Sequence, residues 1–336
     1  MERNVRIPWR FPRAAALALL LGVSVVVAGC GGSGSAKGNA PKGTVNVAYA
    51  GSLTNLMEHT LGPAFQRATS YTYQGKGAGS TAIANQIAGK LIHPDVFISA
   101  SAAAYTPLQG SANGNLVTWY LSFASTQMVI GYSPKSSFAS RFQQAANGQT
   151  PWYTVLESPG LRLGRTDPAL DPKGVNTILT MRLAEQYYNQ LGLAQKVLGA
   201  DANTAQIFPE ETLVARLGSG QLDAGFFYLN EVKDANLPSI SLPQQINLGD
   251  PAQKAAYARA TYTDAKGVAH KGAPILYSVT IPATVSNRAG AIAFVQYLLT
   301  GGGQGILSAD GIGQIGPTAG GDAATIPAEL KTYVKG

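Results

Sequence analysis

The chain has 336 residues, of which 45% are hydrophobic and 13% are charged. This hydrophobic share excludes an intrinsically disordered protein, which would combine low hydrophobicity with a high net charge. A single Cys excludes a disulfide scaffold, and three His give no basis for a His-rich metal site. The length suits one large or two ordinary α/β domains.

The net charge of +7 does not indicate a nucleic-acid-binding protein. Residues 1–29 carry +3 of it, which leaves +4 spread over the rest of the chain. No dense patch of Lys and Arg with interleaved aromatic residues is present, and binding to a phosphate backbone requires one. The sequence therefore predicts no nucleic-acid partner.

The N-terminus resembles a bacterial lipoprotein signal. A basic segment, residues 1–13, precedes an apolar segment, residues 14–28, that is too short to span a bilayer. Small residues then lead directly to Cys30, as in the lipobox, where the Cys is lipidated after cleavage. We predict a signal peptide over 1–29, and lipidated Cys30 with a flexible Gly/Ser tether over 30–43. An ordinary cleaved signal or an uncleaved anchor helix with an incidental Cys is the alternative.

From Thr44 onward, short β-branched runs alternate with helical patterns, which is typical of α/β proteins with parallel strands. The predicted strands are 45–50, 70–74, 95–100, 162–164, 224–228 and 274–282, and residues 122–132 form a strand-rich stretch. The predicted helices cover 53–65, 83–91, 175–183, 213–217 and 289–299. We predict two lobes joined by two crossing segments, with lobe 1 formed by 44–123 plus 272–336 and lobe 2 by 124–271. A ligand cleft would lie between them.

Two strand-to-helix loops are small and hydroxylic: Ala50-Gly51-Ser52 and Gly77-Ala78-Gly79-Ser80-Thr81. Ligands of open α/β sheets lie beyond the carboxyl ends of the strands, beside helix N-termini. Glycine allows close backbone approach, and the unpaired first-turn amides with a Ser hydroxyl make an anion site from neutral donors. The alternative is that both serines are plain helix N-caps.

A third segment, Gly164 to Gly174, contains two Asp-Pro steps that force turns before a predicted helix. The amides of Lys173, Gly174 and Val175 could then face the same cleft. Alternatively, Asp167 or Asp171 merely caps this helix. A carboxylate that faces an anion repels it, unless it is protonated or coordinates the anion's central metal.

Several motifs in order resemble the molybdate- and tungstate-binding proteins of ABC importers. They are AGSLTNLM from Ala50, Gly79-Ser80 before its helix, DVFISA from Asp95, and three segments similar to the tungstate branch: WYLSFASTQMVIGYS from Trp119, GRTDPALDPKG from Gly164 and LDAGFFY from Leu222. The resemblance implies a type II periplasmic-binding-protein fold that closes on one oxyanion and delivers it to the permease and ATPase of an importer.

The resemblance also implies the site residues. Gly51, Ser52, Gly79 and Ser80 would bind the oxyanion from lobe 1, and the 124–127 loop, with Ser125 and Thr126, would add donors from lobe 2. Asp171 would ligate the Mo or W atom, Gly174 would donate its amide, and Tyr228 would line the pocket.

Two positions depart from the tungstate branch. Phe227 stands where that branch has a second metal-binding Glu, and Lys173 stands where it has a Cys. Six-coordinate binding through two carboxylates would therefore require Glu210 or Glu211 as a substitute. A cation at Lys173 could compensate the charge of an anion.

Two other classes of function stay open at this point. A receptor for another anion such as sulfate or phosphate, or for a small organic ligand held by Tyr71, Tyr73, Tyr187 or Tyr188, would use the same scaffold. An exported hydrolase would use Asp167 or Asp171 with a His, but no catalytic motif supports it. The favoured prediction is a monomeric receptor on the outer face of the cytoplasmic membrane, without enzyme activity or resident cofactor.

Overall fold

The computed structural model of the protein describes residues 42–335. The predicted signal peptide, Cys30 and nearly all of the predicted tether lie outside the described residues. Within the described part, no helix combines the length and the apolar character that a membrane crossing needs.

The strands occupy Thr44–Ala50 (β1), Thr72–Ala78 (β2), Val96–Ser99 (β3), Trp119–Thr126 (β4), Met128–Tyr132 (β5), Leu163–Gly164 (β6), Ala224–Tyr228 (β7), Ser239–Ser241 (β8), Thr261–Thr263 (β9), Ala269–Lys271 (β10), Ile275–Thr280 (β11) and Gly313–Gly321 (β12). The α-helices occupy Thr54–Leu56 (α1), Gly62–Thr69 (α2), Ser80–Ala88 (α3), Ala139–Ala146 (α4), Trp152–Leu156 (α5), Pro172–Tyr187 (α6), Leu193–Leu198 (α7), Glu210–Ser219 (α8), Leu229–Asp234 (α9), Lys254–Tyr257 (α10), Arg288–Leu299 (α11), Gly301–Ala309 (α12) and Ala328–Lys331 (α13). A 3-10 turn, Gly51–Leu53, and a π segment, Met57–Leu61, make the chain helical from β1 to the end of α2.

Two main sheets organise the described chain. The larger has the order β12-β4-β11-β3-β1-β2, and the smaller has the order β6-β7-β5-β8. We call the larger sheet with the helices on it lobe 1, and the smaller sheet with its helices lobe 2. Both sheets are mixed rather than parallel throughout: β1 runs parallel to β2 and β3, whereas β11, β4 and β12 run antiparallel to their neighbours.

The chain leaves the larger sheet later than predicted. Residues 124–126 belong to β4 and pair with β11, so they are a strand of lobe 1 and not a loop of lobe 2. The predicted strand-rich stretch over 122–132 forms two strands separated by Gln127. The break arises because the two halves pair with different sheets.

The glycine-rich run before Ser80 is also a strand rather than a loop. β2 extends through Gly75 and Gly77, where a Cβ would collide with the side chains of Glu58 and Tyr73 or with those of Thr54 and Tyr49. Bulky side chains of the helix and of β1 therefore cover the face on which these glycines lie. The strand forms because its backbone pairs with β1 along its whole length.

A buried carboxylate joins three elements of lobe 1. Asp95 is fully buried just before β3. One carboxyl oxygen accepts from the amide (2.9 Å) and side chain (3.2 Å) of Asn46 on β1. The other accepts from the amide and hydroxyl of Ser286 and from the amide of Asn287, at 2.8–2.9 Å. Because Asn287 is the N-cap of α11, Asp95 fixes that helix to the strands.

Candidate functional site

The two predicted hydroxylic loops lie side by side in the structure. β1 and β2 are parallel neighbours, and their last residues, Ala50 and Ala78, are register partners. Adjacent strands lie about 5 Å apart, so Ser52 and Ser80 begin neighbouring helical segments at one sheet edge. The first amides of each segment have no intrahelical acceptor. This is the arrangement that the sequence predicted.

Neither serine is a side-chain N-cap. Ala50 and Gly79 occupy the cap positions, and no capping hydrogen bond is formed there. Ser80 Oγ instead accepts from the Ala100 amide at the end of β3 (3.1 Å), and Ser52 Oγ accepts from Tyr277 Oη (3.0 Å). Each hydroxyl keeps its own proton for another acceptor, because a hydroxyl is both a donor and an acceptor.

Asn230, at the start of α9, connects Ser52 to lobe 2. Its Nδ2 donates to the Ser52 carbonyl (2.8 Å), and its Oδ1 accepts from Thr126 Oγ1 (3.1 Å). Nothing in the sequence singled out Asn230. Of the two donors predicted from the 124–127 segment, Thr126 is thus committed to Asn230, whereas Ser125 lies on β4 with its Oγ beside Gly313 of β12.

Asp171 caps α6, as the alternative prediction has it, and keeps one carboxyl oxygen unused. Its Oδ1 accepts from the Lys173 amide (2.7 Å) and caps α6, while its Oδ2 is buried without a hydrogen-bond partner. The prediction of free amides at this helix start is wrong for two of the three residues. Lys173 N bonds Asp171 Oδ1, and Gly174 N bonds the Asp171 carbonyl (3.1 Å). Gly174 is glycine because a Cβ would lie 2.6 Å from the Thr166 carbonyl.

A buried charge cluster surrounds Asp171. Lys173 Nζ lies 2.5 Å from Glu231 Oε1 and 3.1 Å from Glu210 Oε1, and all three side chains are almost fully buried. The cation also lies over the rings of Phe227 (5.7 Å) and Tyr228 (5.6 Å). Burial lowers the pKa of Lys173, but the surrounding carboxylates more than offset this and hold it above its ordinary value. The cation therefore stays charged.

The carboxylates of this cluster are harder to ionise than usual. Burial and the neighbouring Asp171 raise the pKa of Glu210 to about 8, against the opposing effect of Lys173. Burial likewise raises the pKa of Asp171 and raises that of Glu231 to about 6. Within residues 42–335, no group of three or more His, Cys, Asp or Glu is arranged to hold a metal ion.

The cleft is closed at this point by direct contacts. The Ala82 amide of α3 donates to the Leu170 carbonyl (3.0 Å), which joins lobe 1 to the start of α6. Tyr228 on β7 packs edge-on against Tyr277 on β11, with ring centroids 6.3 Å apart, and its Oη accepts from Asn176 (3.0 Å). A cavity of about 210 Å³ adjoins these residues, with Gly79, Thr166, Asp171 and Glu210 in its wall.

The tyrosines and histidines of the two alternative functions lie elsewhere, whereas Asp167 and Asp171 line the cavity. Tyr71 and Tyr73 pack on Phe65 and Phe294, respectively. Tyr188 packs edge-on against Trp152 and accepts a hydrogen bond from its Nε1. The described wall of the cavity contains no His, and His270 pairs with Asp264 in the β9–β10 hairpin instead. Neither an aromatic cage nor an Asp–His pair is formed at Asp171.

A family model described as bacterial extracellular solute-binding protein matches residues 45–313. The chain belongs to this family. The predicted resemblance is confirmed, and membership makes this an extracellular solute-binding protein, with a bound solute and the membrane subunits of an importer as its partners.

The chain is similar to several proteins with related descriptions. One relative is a candidate molybdenum-binding protein of an ABC transporter from Haloferax volcanii. The two sequences are 33% identical over 276 residues, which cover 81% of this chain and 83% of the other. This chain is 26% identical over 312 residues, 85% and 89% of the two chains, to the molybdate/tungstate-binding protein WtpA of Pyrococcus abyssi. The periplasmic molybdate-binding protein of Azotobacter vinelandii matches with a TM-score of 0.53 at 17% identity, over 80% of this chain and 98% of that one. The predicted type II periplasmic-binding-protein fold is confirmed.

Proposed function

We propose that this protein captures a tetrahedral oxyanion, molybdate or tungstate, and delivers it to an ABC importer. The observation that carries the proposal is the pair of serines at adjacent parallel strand ends. Each hydroxyl accepts one hydrogen bond from a protein donor, and within residues 42–335 neither donates its own proton to a protein acceptor. Unpaired helix-start amides beside them add neutral donors, which suit an anion. The relatives described as binding molybdate or tungstate support this ligand class.

In this proposal, Gly51, Ser52, Gly79 and Ser80 bind the oxyanion's oxygens, and the free Oδ2 of Asp171 contacts its metal atom. Tyr228 lines the pocket, whereas Ser125, Thr126 and Gly174 act through packing and existing hydrogen bonds rather than by contact with the ligand. Sulfate is a dianion with the same acceptor pattern, so selection against it rests on size. The chain acts as a receptor and not as an enzyme.

We further propose that the protein is a monomer, anchored outside the cytoplasmic membrane by lipid on Cys30, and that its lobes open and close about the two crossings. Contacts from both lobes would favour the closed state when the ligand is bound. Metabolic labelling with a palmitate analogue tests the anchor: label lost from Cys30→Ala supports it, and label retained by that variant contradicts it.

Calorimetry of the purified protein tests the ligand. Molybdate and tungstate are expected to bind at micromolar or lower concentration, and more tightly than sulfate or phosphate. Absence of heat with all four anions would refute the proposal.

Replacing either serine is expected to weaken binding. Ser52→Ala and Ser80→Ala each remove one charge-assisted hydrogen bond, so each should cost about 1–3 kcal/mol of binding free energy. Ser125→Ala, on β4, is the matched control and should leave the affinity unchanged. Wild-type affinity in the Ser52→Ala/Ser80→Ala double variant would remove both serines from the site.

Closure requires a glycine at position 79. Its backbone angles, φ −53° and ψ 132°, suit any residue, but a Cβ there would lie 2.6 Å from the Leu170 carbonyl of lobe 2. Gly79→Ala should therefore hold the lobes apart and weaken molybdate binding at least tenfold, with little change in thermal stability. Small-angle scattering should show that molybdate compacts the wild type but not the variant. Equal compaction of both would contradict this account.

A further inference from the structure

Lys173 is a fully buried cation with more negative partners than it can neutralise. Glu231 and Glu210 both lie within 3.1 Å of Nζ, and Asp171 lies two residues away with one oxygen unpartnered. A buried group of one cation and three carboxyls is costly unless every oxygen is compensated. One of these carboxyls must stay paired with Lys173 when an anion binds, and the hydrogen bonds of the two glutamates indicate which.

The two glutamates differ in how they are held. Glu231 uses both oxygens: Oε1 pairs with Lys173, and Oε2 accepts from the Tyr228 amide (2.7 Å), which caps α9. Among the described residues, neither oxygen of Glu210 has a well-aligned hydrogen-bond donor: its carboxyl lies beside that of Asp171, and its one cation contact is the longer ion pair with Lys173. Glu231 is therefore a fixed partner of Lys173, whereas the carboxylate of Glu210 is the partner that another anion can replace.

The Glu210 carboxylate also covers the proposed anion loop. Glu210 is the first residue of α8 in lobe 2, and its carboxylate lies against Gly51 of lobe 1, where any Cβ would collide with it. The space beside the Gly51 backbone, next to Ser52, is thus filled by a carboxyl group from across the cleft. An oxyanion bound at this loop would be in contact with Glu210 in its present position, and the two repel each other whenever Glu210 is ionised.

We infer that Glu210 is an internal counter-anion, which occupies Lys173 and the Gly51–Ser52 loop until the incoming oxyanion displaces it. Lys173, positioned by Glu231, then supplies the cation that balances the bound dianion. This inference rests on the proposed function and adds a residue that sets affinity. It explains how a site with Asp171 in its wall can accept an anion.

The test is calorimetry with sodium molybdate on the wild type, Glu210→Gln and Glu210→Ala. At pH 9, where Glu210 is ionised, both variants should bind molybdate more tightly than the wild type, roughly tenfold or more for Glu210→Gln, because they remove the competing charge. Glu157→Gln is the matched control: it removes a carboxylate from an exposed residue outside the cavity wall and should change the affinity far less. Melting temperatures identify any variant that has not folded.

Each other outcome is decisive. Equal affinity in folded Glu210→Gln would show that the carboxylate does not compete, and weaker affinity would show that it contacts the ligand. Either result overturns this inference. The proposed function is unaffected by either result as long as the wild type binds molybdate. If the wild type and both Glu210 variants all fail to bind molybdate, tungstate, sulfate and phosphate, the proposed function falls and this inference falls with it.

Discussion

Lys173→Met is expected to lower the free energy of unfolding by about 3–5 kcal/mol, the range observed when one partner of a buried ion pair is removed. The side chain of Lys173 is fully buried, and its loss leaves Glu231 and Glu210 without a cation within 3.1 Å. Methionine fills most of the same volume, so the loss of stability measures the removal of the charge rather than a change in packing. Denaturant unfolding of the ligand-free protein measures it.

Two further variants separate charge from shape in this cluster. Lys196→Met makes the same change on the exposed side of α7 and should cost less than about 0.5 kcal/mol. The triple variant Lys173→Met/Glu210→Gln/Glu231→Gln removes all three charges and should recover most of the lost stability, since buried ion pairs can often be replaced by neutral groups. A triple variant no more stable than Lys173→Met would show that packing or hydrogen bonds, not charge, dominate.

Asp95→Ala is expected to destabilise the fold by about 4 kcal/mol. The substitution removes the acceptor of five hydrogen bonds from Asn46, Ser286 and Asn287, and each buried donor left without a partner costs about 1–3 kcal/mol. Asp95→Asn keeps one acceptor oxygen and should fall in between. Asp322→Asn, at an exposed cap, is the control and should cost about 1 kcal/mol or less.

Asp95 should also make the free energy of unfolding depend on pH in the acidic range. Burial alone raises its pKa, but the hydrogen bonds more than offset this, so the folded-state pKa lies below the ordinary value of 3.8. The unfolded state then binds the proton more readily, and the contribution of Asp95 is fully present above about pH 4 and is lost as the pH falls through its folded pKa. The unfolding free energy of the wild type should therefore decline more steeply below pH 4 than that of Asp95→Asn. Parallel pH profiles of the two proteins would contradict this assignment.

The local composition of the chain was sufficient to predict most of the elements that position the site. β7 was predicted to the residue, and β1, β3 and α11 to within one or two residues, because apolar periodicity and cap residues are local signals. β12 was missed, since its sequence, GQIGPTAGG, has few residues that favour strands. It forms because β4 offers it an unpaired edge.

The amino-acid sequence by itself determined the fold class, the family and the two serine loops, because parallel strands place successive carboxyl ends at one edge of a sheet. Only the tertiary structure decided what surrounds those loops. Lys173, Glu210 and Glu231 are separated by 37 and 21 residues in the chain, and each has the appearance of an ordinary surface charge in its local sequence. Packing of α6, α8 and α9 against the smaller sheet brings these three side chains together and excludes water. Because they are buried, the charge of each strongly affects the ionisation of the others.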